Sequence, residues 1–203
     1  MKKGILTRLG DITKIHQRAA FSDVQQKIDK YRGSNAFLEL ASKRFSCREF
    51  SDLPVSASKR NKILEVARLA PTACNRQPVH VWSITSENAL ARIREIHQLF
   101  GAPLVFMVGC KADEAWVRGC DGKNGAETDA AIVGTHIMLA AADLDLGCTW
   151  VGSFDPAKIA ETFPETEGYE ITALFAVGRP AVNATPSERH SIRKSIEEFA
   201  TEL

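Results

Sequence analysis

"ETDAAIVGTHIMLAAADLDLG", residues 127–147, is the stretch on which the fold turns. Ala130, Ala131, Ile132, Ile137, Met138, Leu139 and Ala140 leave it little polar face. A helix that is apolar nearly all round is a central, buried one, and Gly147 is placed to stop it. In a chain of 203 residues, burial on every side calls for a partner surface as well as the chain's own body. On either side lie β-branched, apolar runs that read as strands: "VHVWSIT" (79–85), "APLVFMVGC" (102–110), a short one around "CTWV" and "YEITALFAVG" (169–178). Amphipathic runs separate them. "NAFLELASKR" reads as a short helix, and "SASKRNKILEVARLA" as a longer one with Ser56 as cap and Ile63, Leu64 and Ala67 inward. "SENALARIREIHQLF" is a third, capped by Ser86, and another starts near Asp155. The tail "SIRKSIEEFATEL" is charged and expected to be helical. This order places the chain in the α/β or α+β class around a buried central helix.

Residues 1–34 read as an appendage whose stripe Phe21, Val24, Ile28 and Tyr31 must lie on the body or on a second subunit. From residue 35 to 203 the chain reads as one domain. Hydrophobic residues make up 44% and charged residues 25%, as in globular proteins. The formal net charge of +1, from 26 basic and 25 acidic side chains, argues against a nucleic-acid surface. No segment has the length to span a bilayer, and the N-terminus lacks the apolar core of a secretory signal, so a cytoplasmic location is expected. Five cysteines without a CxxC pair fit reduced thiols rather than a metal centre. Cys47 and Cys74 are expected to be buried filler.

Four stretches carry chemistry-bearing residues. "KRFSCREF" (43–50) places Arg44 and Arg48 four apart, with Ser46 between them. On a helical turn both guanidinium groups would share a face, either as a solvated basic helix end or as a fork for a phosphate. "LAPTACNRQPVHVW" (69–82) brings small residues and the amides of Asn75 and Gln77 to a helix-to-strand loop. Such a loop can receive a planar heterocycle, or can simply satisfy its own backbone. "GCTWVGSFDP" (147–156) has Gly152 and Ser153 at a strand end, where backbone can approach a ligand or merely turn. "RHSIRKSIEEF" gathers Arg189, Arg193 and Lys194, by default a solvated helix start, though positive charge near the positive end of a helix favours a bound anion.

In this order the four stretches resemble the nitroreductase family of FMN-dependent oxidoreductases. Arg44, Ser46, Arg48 and Phe50 match its Arg-x-Ser-x-Arg-x-Phe pattern. "APTACNRQP" matches its second signature with Thr72 for the usual Ser, "GCTWVGSFD" its third, and "VGRP" followed by "RK" its C-terminal end. The resemblance implies an α+β fold: a three-layer α/β/α sandwich with a mainly antiparallel sheet. It implies a homodimer with two FMN sites at the subunit interface. Arg44, Phe45, Ser46 and Arg48 would hold the phosphate and the ribityl or pyrimidine edge, and Arg193 and Lys194 would complete the phosphate clamp. Pro71, Thr72, Ala73, Asn75 and Gln77 would come from the other subunit. Trp150, Val151, Gly152 and Ser153 would face the isoalloxazine, with a backbone N–H near N5. Hydride would pass from NADH or NADPH through the flavin to nitroaromatics, quinones or similar acceptors, and no catalytic side chain or metal is implied. The other reading is a flavin-binding redox sensor or flavin-consuming protein without nicotinamide turnover. "KADEAWVRGCDGKNGAE" (111–127) is the expected lid, where Trp116 either covers the flavin or packs the loop down.

Overall fold

The structure, a computed structural model, describes residues 36–203. The expected arm and its stripe Phe21, Val24, Ile28 and Tyr31 lie outside the described residues. Helix α1 (Ala36–Lys43) belongs to a separate compact unit that ends at Lys43; the elements below form the unit Arg44–Leu203.

The second unit is an α+β sandwich built on strands β1 (Val79–Ile84), β2 (Leu104–Cys110), β3 (Gly147–Val151) and β4 (Glu170–Gly178). They form one antiparallel sheet in the order β1-β2-β4-β3. All seven residues of β2 are buried, as a central strand covered on both faces requires. Alternation divides them: Leu104, Phe106, Val108 and Cys110 face one core, Val105 and Met107 the other. The first core packs against α2 (Ala57–Arg68) and α4 (Ala126–Asp143) through Ile63, Ala67, Ala130, Val133, Ile137 and Ala141. The second packs against α3 (Glu87–Ile96) and α5 (Pro156–Thr162) through Leu90, Ile93 and Ile159. Ser56, Ser86 and Asp155 cap α2, α3 and α5 with their side-chain oxygens, as their sequence positions predict.

Helix α4 departs from expectation at its end and on one face. It stops at Asp143, four residues before Gly147. Asp145 takes the left-handed conformation (φ 56°), and the Asp145 and Leu146 N–H groups donate to the Ala142 and Ala141 carbonyls. Lys59 Nζ donates to the freed Leu144 carbonyl at 2.5 Å. The stop is therefore an aspartate, and Gly147 opens β3 instead. Nor is α4 covered all round: Ala131, Ile132, Met138, Leu139 and Ala142 are half-buried, and with exposed Thr135 they form a stripe at helical spacing.

The tail is less helical than expected. A 3₁₀ turn spans Glu188–Ser191 and a single helical turn, α6, spans Ile196–Phe199. Ser195 and Glu198 close a capping box, which fixes the helix start beyond Arg193 and Lys194. From Val182 on, Val182, Ile192, Ile196, Phe199 and Leu203 are all exposed. Among the described residues, no helix is long and apolar enough to cross a membrane.

Candidate functional site

Residues 44–50 are not a helical turn. The chain leaves α1 at Lys43 and runs extended beside β3, with Ser46 bridging Cys148 in parallel and the Cys47 N–H donating to the Cys148 carbonyl at 3.2 Å. The Thr149 hydroxyl donates to the Cys47 carbonyl, locking the same junction from the other strand. In an extended segment side chains alternate, so Arg44, Ser46 and Arg48 share a face by the period of two. Cys47 on the opposite face is fully buried, as expected of filler. It lies against Gly147, where an added Cβ would come within 2.6 Å of its Cβ and Sγ. Gly147 is therefore the vacancy that admits the fork to the sheet edge. Beyond the fork, Phe50 bridges Pro180 and the Ala181 N–H donates to the Glu49 carbonyl at 3.0 Å, so the "VGRP" run closes the segment's far end.

Arg44 is half-buried; Arg48 is exposed, its guanidinium 5.9 Å from the Phe100 ring centre and bonded to the Ser46 carbonyl. Arg193 donates to the Ile192 carbonyl at 2.7 Å, and Lys194 is exposed. Among the described residues none of these four cations is paired with a carboxylate. Guanidinium groups without a carboxylate partner keep their donors free for an anion. Among the described residues no hydrogen bond or ion pair joins Arg193 or Lys194 to the fork.

The loop between α2 and β1 is strained. Cys74, Asn75 and Gln77 all have positive φ (52°, 52° and 54°) without being glycine. Each such residue costs about 1–2 kcal/mol relative to its right-handed conformation, and such outliers gather at ligand sites. The Thr72 hydroxyl accepts the Gln77 N–H at 3.0 Å, and Asp129 of α4 accepts the Ala73 N–H at 2.9 Å. Thr72 and Ala73 are half-buried; Pro71, Cys74, Asn75 and Gln77 are exposed, so Cys74 is not filler. Asp129 was missed from sequence, where an acidic residue set directly against the apolar run Ala130–Val133 was the available signal.

At the end of β3, Trp150 stacks edge-on to Phe175 with ring centres 4.9 Å apart. Gly134 of α4 makes room for that pair: an added Cβ would sit 2.5 Å from Phe175 and 2.8 Å from Trp150. Val151 is buried, while Gly152 and Ser153 are exposed just beyond the strand, before Asp155 caps α5. In the expected lid, Val117 bridges Asn124 and the Gly125 N–H donates to the Trp116 carbonyl, making a hairpin. Trp116 is half-buried, with its ring 3.7 Å from the position of a Gly125 Cβ, and it lines a cavity together with Ala73.

The fork and the strained loop occupy diagonal corners of the sheet. The loop enters β1 at Val79, opposite Cys110; the fork lies outside β3 at Cys148, opposite Val177, which pairs with Leu104 at the other end of β2. Helix α4 runs the diagonal, and its 18 residues at 1.5 Å each span about 27 Å. Asp129 in its first turns holds the loop, and the chain past its end carries the fork. Gly152 and Ser153 lie past the far end of β3 from the fork, on the outer strand at one edge of the sheet, while the loop enters the strand at the opposite edge.

A model of the nitroreductase family matches residues 41–98 and 97–179. A Methanothermobacter thermautotrophicus protein provisionally named an NADH dehydrogenase/NAD(P)H nitroreductase is 29% identical over 126 residues, covering 58% of this chain and 61% of that protein. The chain thus spans less than two thirds of that relative's length. The crystal structure of a nitroreductase family protein from Clostridium difficile 630 is 35% identical, with a TM-score of 0.75 over 80% of this chain and 95% of that one. A provisionally named nitroreductase from Exiguobacterium sibiricum 255-15, solved in complex with FMN, shares the fold at 21% identity and a TM-score of 0.71, over 82% of this chain and 97% of that one.

Proposed function

This chain belongs to the nitroreductase family, and we propose that it is an FMN-dependent oxidoreductase drawing hydride from NADH or NADPH for nitroaromatic, quinone or similar acceptors. The observation that carries this reading is the cationic fork, without a carboxylate partner among the described residues and fixed by backbone bonds to β3, whose far end is the exposed Gly152–Ser153 backbone. Those features fit a flavin mononucleotide: a doubly charged end for Arg44 and Arg48, and a planar end for the strand terminus.

FMN, when bound, supplies the hydride chemistry at N5. Arg44 and Arg48 would bind the phosphate, Ser46 and Phe45 would line its approach, and Arg193 and Lys194 would complete the clamp from the tail. The exposed backbone N–H groups of Gly152 and Ser153 would be the donors available to the flavin ring, with Trp150 and Val151 backing the strand that holds them. Pro71, Thr72, Ala73, Asn75 and Gln77 serve the heterocycle edge of the partner's flavin. No side chain is assigned an acid–base role.

The diagonal separation of fork and loop supports a homodimer in which each flavin takes one half of its site from each protomer. So do the open apolar stripe of α4 and the exposed apolar tail, which a second copy would cover. Purified protein should be yellow, release FMN on denaturation and bleach anaerobically with NADH or NADPH. Colourless protein that cannot be reconstituted with FMN would end the reading. Full flavin occupancy without bleaching would favour a sensor or flavin-consuming role instead.

A further inference from the structure

We infer that Asp129 is a positioning residue: from inside α4 it holds the strained loop 71–77 in the conformation that presents Asn75 and Gln77. Asp129 is only 2% exposed. Its Oδ1 accepts the Ala73 N–H at 2.9 Å, across 56 positions of sequence. Its Oδ2 is buried with no hydrogen-bond partner among the described residues. A buried carboxylate with a free oxygen is costly where an apolar residue would fill the space, and α4's N-terminal dipole offsets only part of that cost. The bond to Ala73 is what the carboxylate provides in return.

The loop needs such a tether. Cys74, Asn75 and Gln77 hold left-handed conformations that surrounding structure must impose. The Thr72–Gln77 bond and the Asn75 N–H bond to the Thr72 carbonyl (2.9 Å) are internal to the loop and move with it. Asp129 ties the loop to the rigid core, being followed directly by fully buried Ala130. It also stands in the wall of a cavity of about 180 Å³ with Ala73, Trp116, Lys123 and Thr128, so loop and hairpin share it as a common floor.

The part of this inference that concerns flavin rests on the proposed function; the part that concerns the loop does not. Asp129→Asn keeps an acceptor for the Ala73 N–H, whereas Asp129→Leu fills the same space without one. Amide hydrogen exchange on flavin-free protein should show residues 72–77 exchanging about tenfold faster in Asp129→Leu, as loss of a charge-assisted bond implies. β2 and β4 should be unchanged, and Asp129→Asn should resemble wild type. FMN should dissociate about tenfold more readily from Asp129→Leu and within threefold of wild type from Asp129→Asn. If the leucine variant does not fold, Asp129→Ser, too short to reach Ala73, carries the same expectation. Wild-type exchange at 72–77 in Asp129→Leu would overturn the inference, as would an Asn variant as loose as the Leu variant. If wild type binds no FMN while the exchange pattern holds, the proposed function fails and the positioning role stands.

Discussion

Arg44 and Lys194 show how differently two cations of one motif set are held. Arg44 is half-buried on a segment bonded to β3, and its charge lowers the Cys148 thiol pKa against a much larger upward push from burial. Lys194 is exposed ahead of the last helical turn. Arg44→Ala should therefore weaken FMN binding by about 1.5–3 kcal/mol, and Lys194→Ala by less. Equal FMN dissociation constants for wild type and Arg44→Ala would remove Arg44 from the site. The thiols give a second check. Cys74 and Cys120 are exposed, whereas Cys47, Cys110 and Cys148 are buried and their thiols pushed upward, Cys110 to about 11, by desolvation foremost. A disulfide reagent at pH 8 should titrate Cys74 and Cys120 in flavin-free protein, and FMN should protect Cys74, which lies between Ala73 and Asn75. The folded chain keeps a proton on Cys110 that the unfolded thiol sheds above pH 9. That contribution is complete below pH 9 and lost as pH rises toward 11, so alkaline stability should fall across that window.

At the scale of elements, periodicity and caps located the strands and main helices because each signal is local. Ser56, Ser86 and Asp155 cap the helices they precede, and the alternation in "LVFMVGC" sorts its residues into two cores. Two readings failed where long-range structure overrode local pattern. Arg44 and Arg48 share a face, but through the period of an extended segment pairing with Cys148, a partner about a hundred residues away that no local signal announces. Gly147 was legible as special, but its purpose is to admit Cys47 rather than to stop α4. Gly147→Ala should consequently push the fork off β3. Overpacking of this kind costs about 1–3 kcal/mol, or roughly 2–4 °C in Tm for each kcal/mol in a chain of this size. FMN affinity should fall with it. An alanine variant with unchanged Tm and FMN affinity would show that the fork does not depend on this close approach.

For the whole molecule, the motifs could be listed from sequence, but their distribution over the sheet could not. Which corner holds which motif follows from the order β1-β2-β4-β3, and that order places the Thr72–Gln77 loop and the Arg44–Arg48 fork at the two ends of α4. On the proposed function these are two half-sites completed by a second copy, and light scattering should return about twice the 22.3 kDa chain mass. The decisive measurement pairs an Arg44→Ala chain with an Asn75→Ala,Asp129→Leu chain in a heterodimer isolated through two different affinity tags. If each flavin is held by the fork of one protomer and the loop of the other, both lesions fall in one site and the second site is wholly wild type. The account predicts half an equivalent of FMN per chain bound at wild-type affinity and reduced by NAD(P)H. A heterodimer without any wild-type-affinity site would place fork and loop in the same chain's site and contradict it.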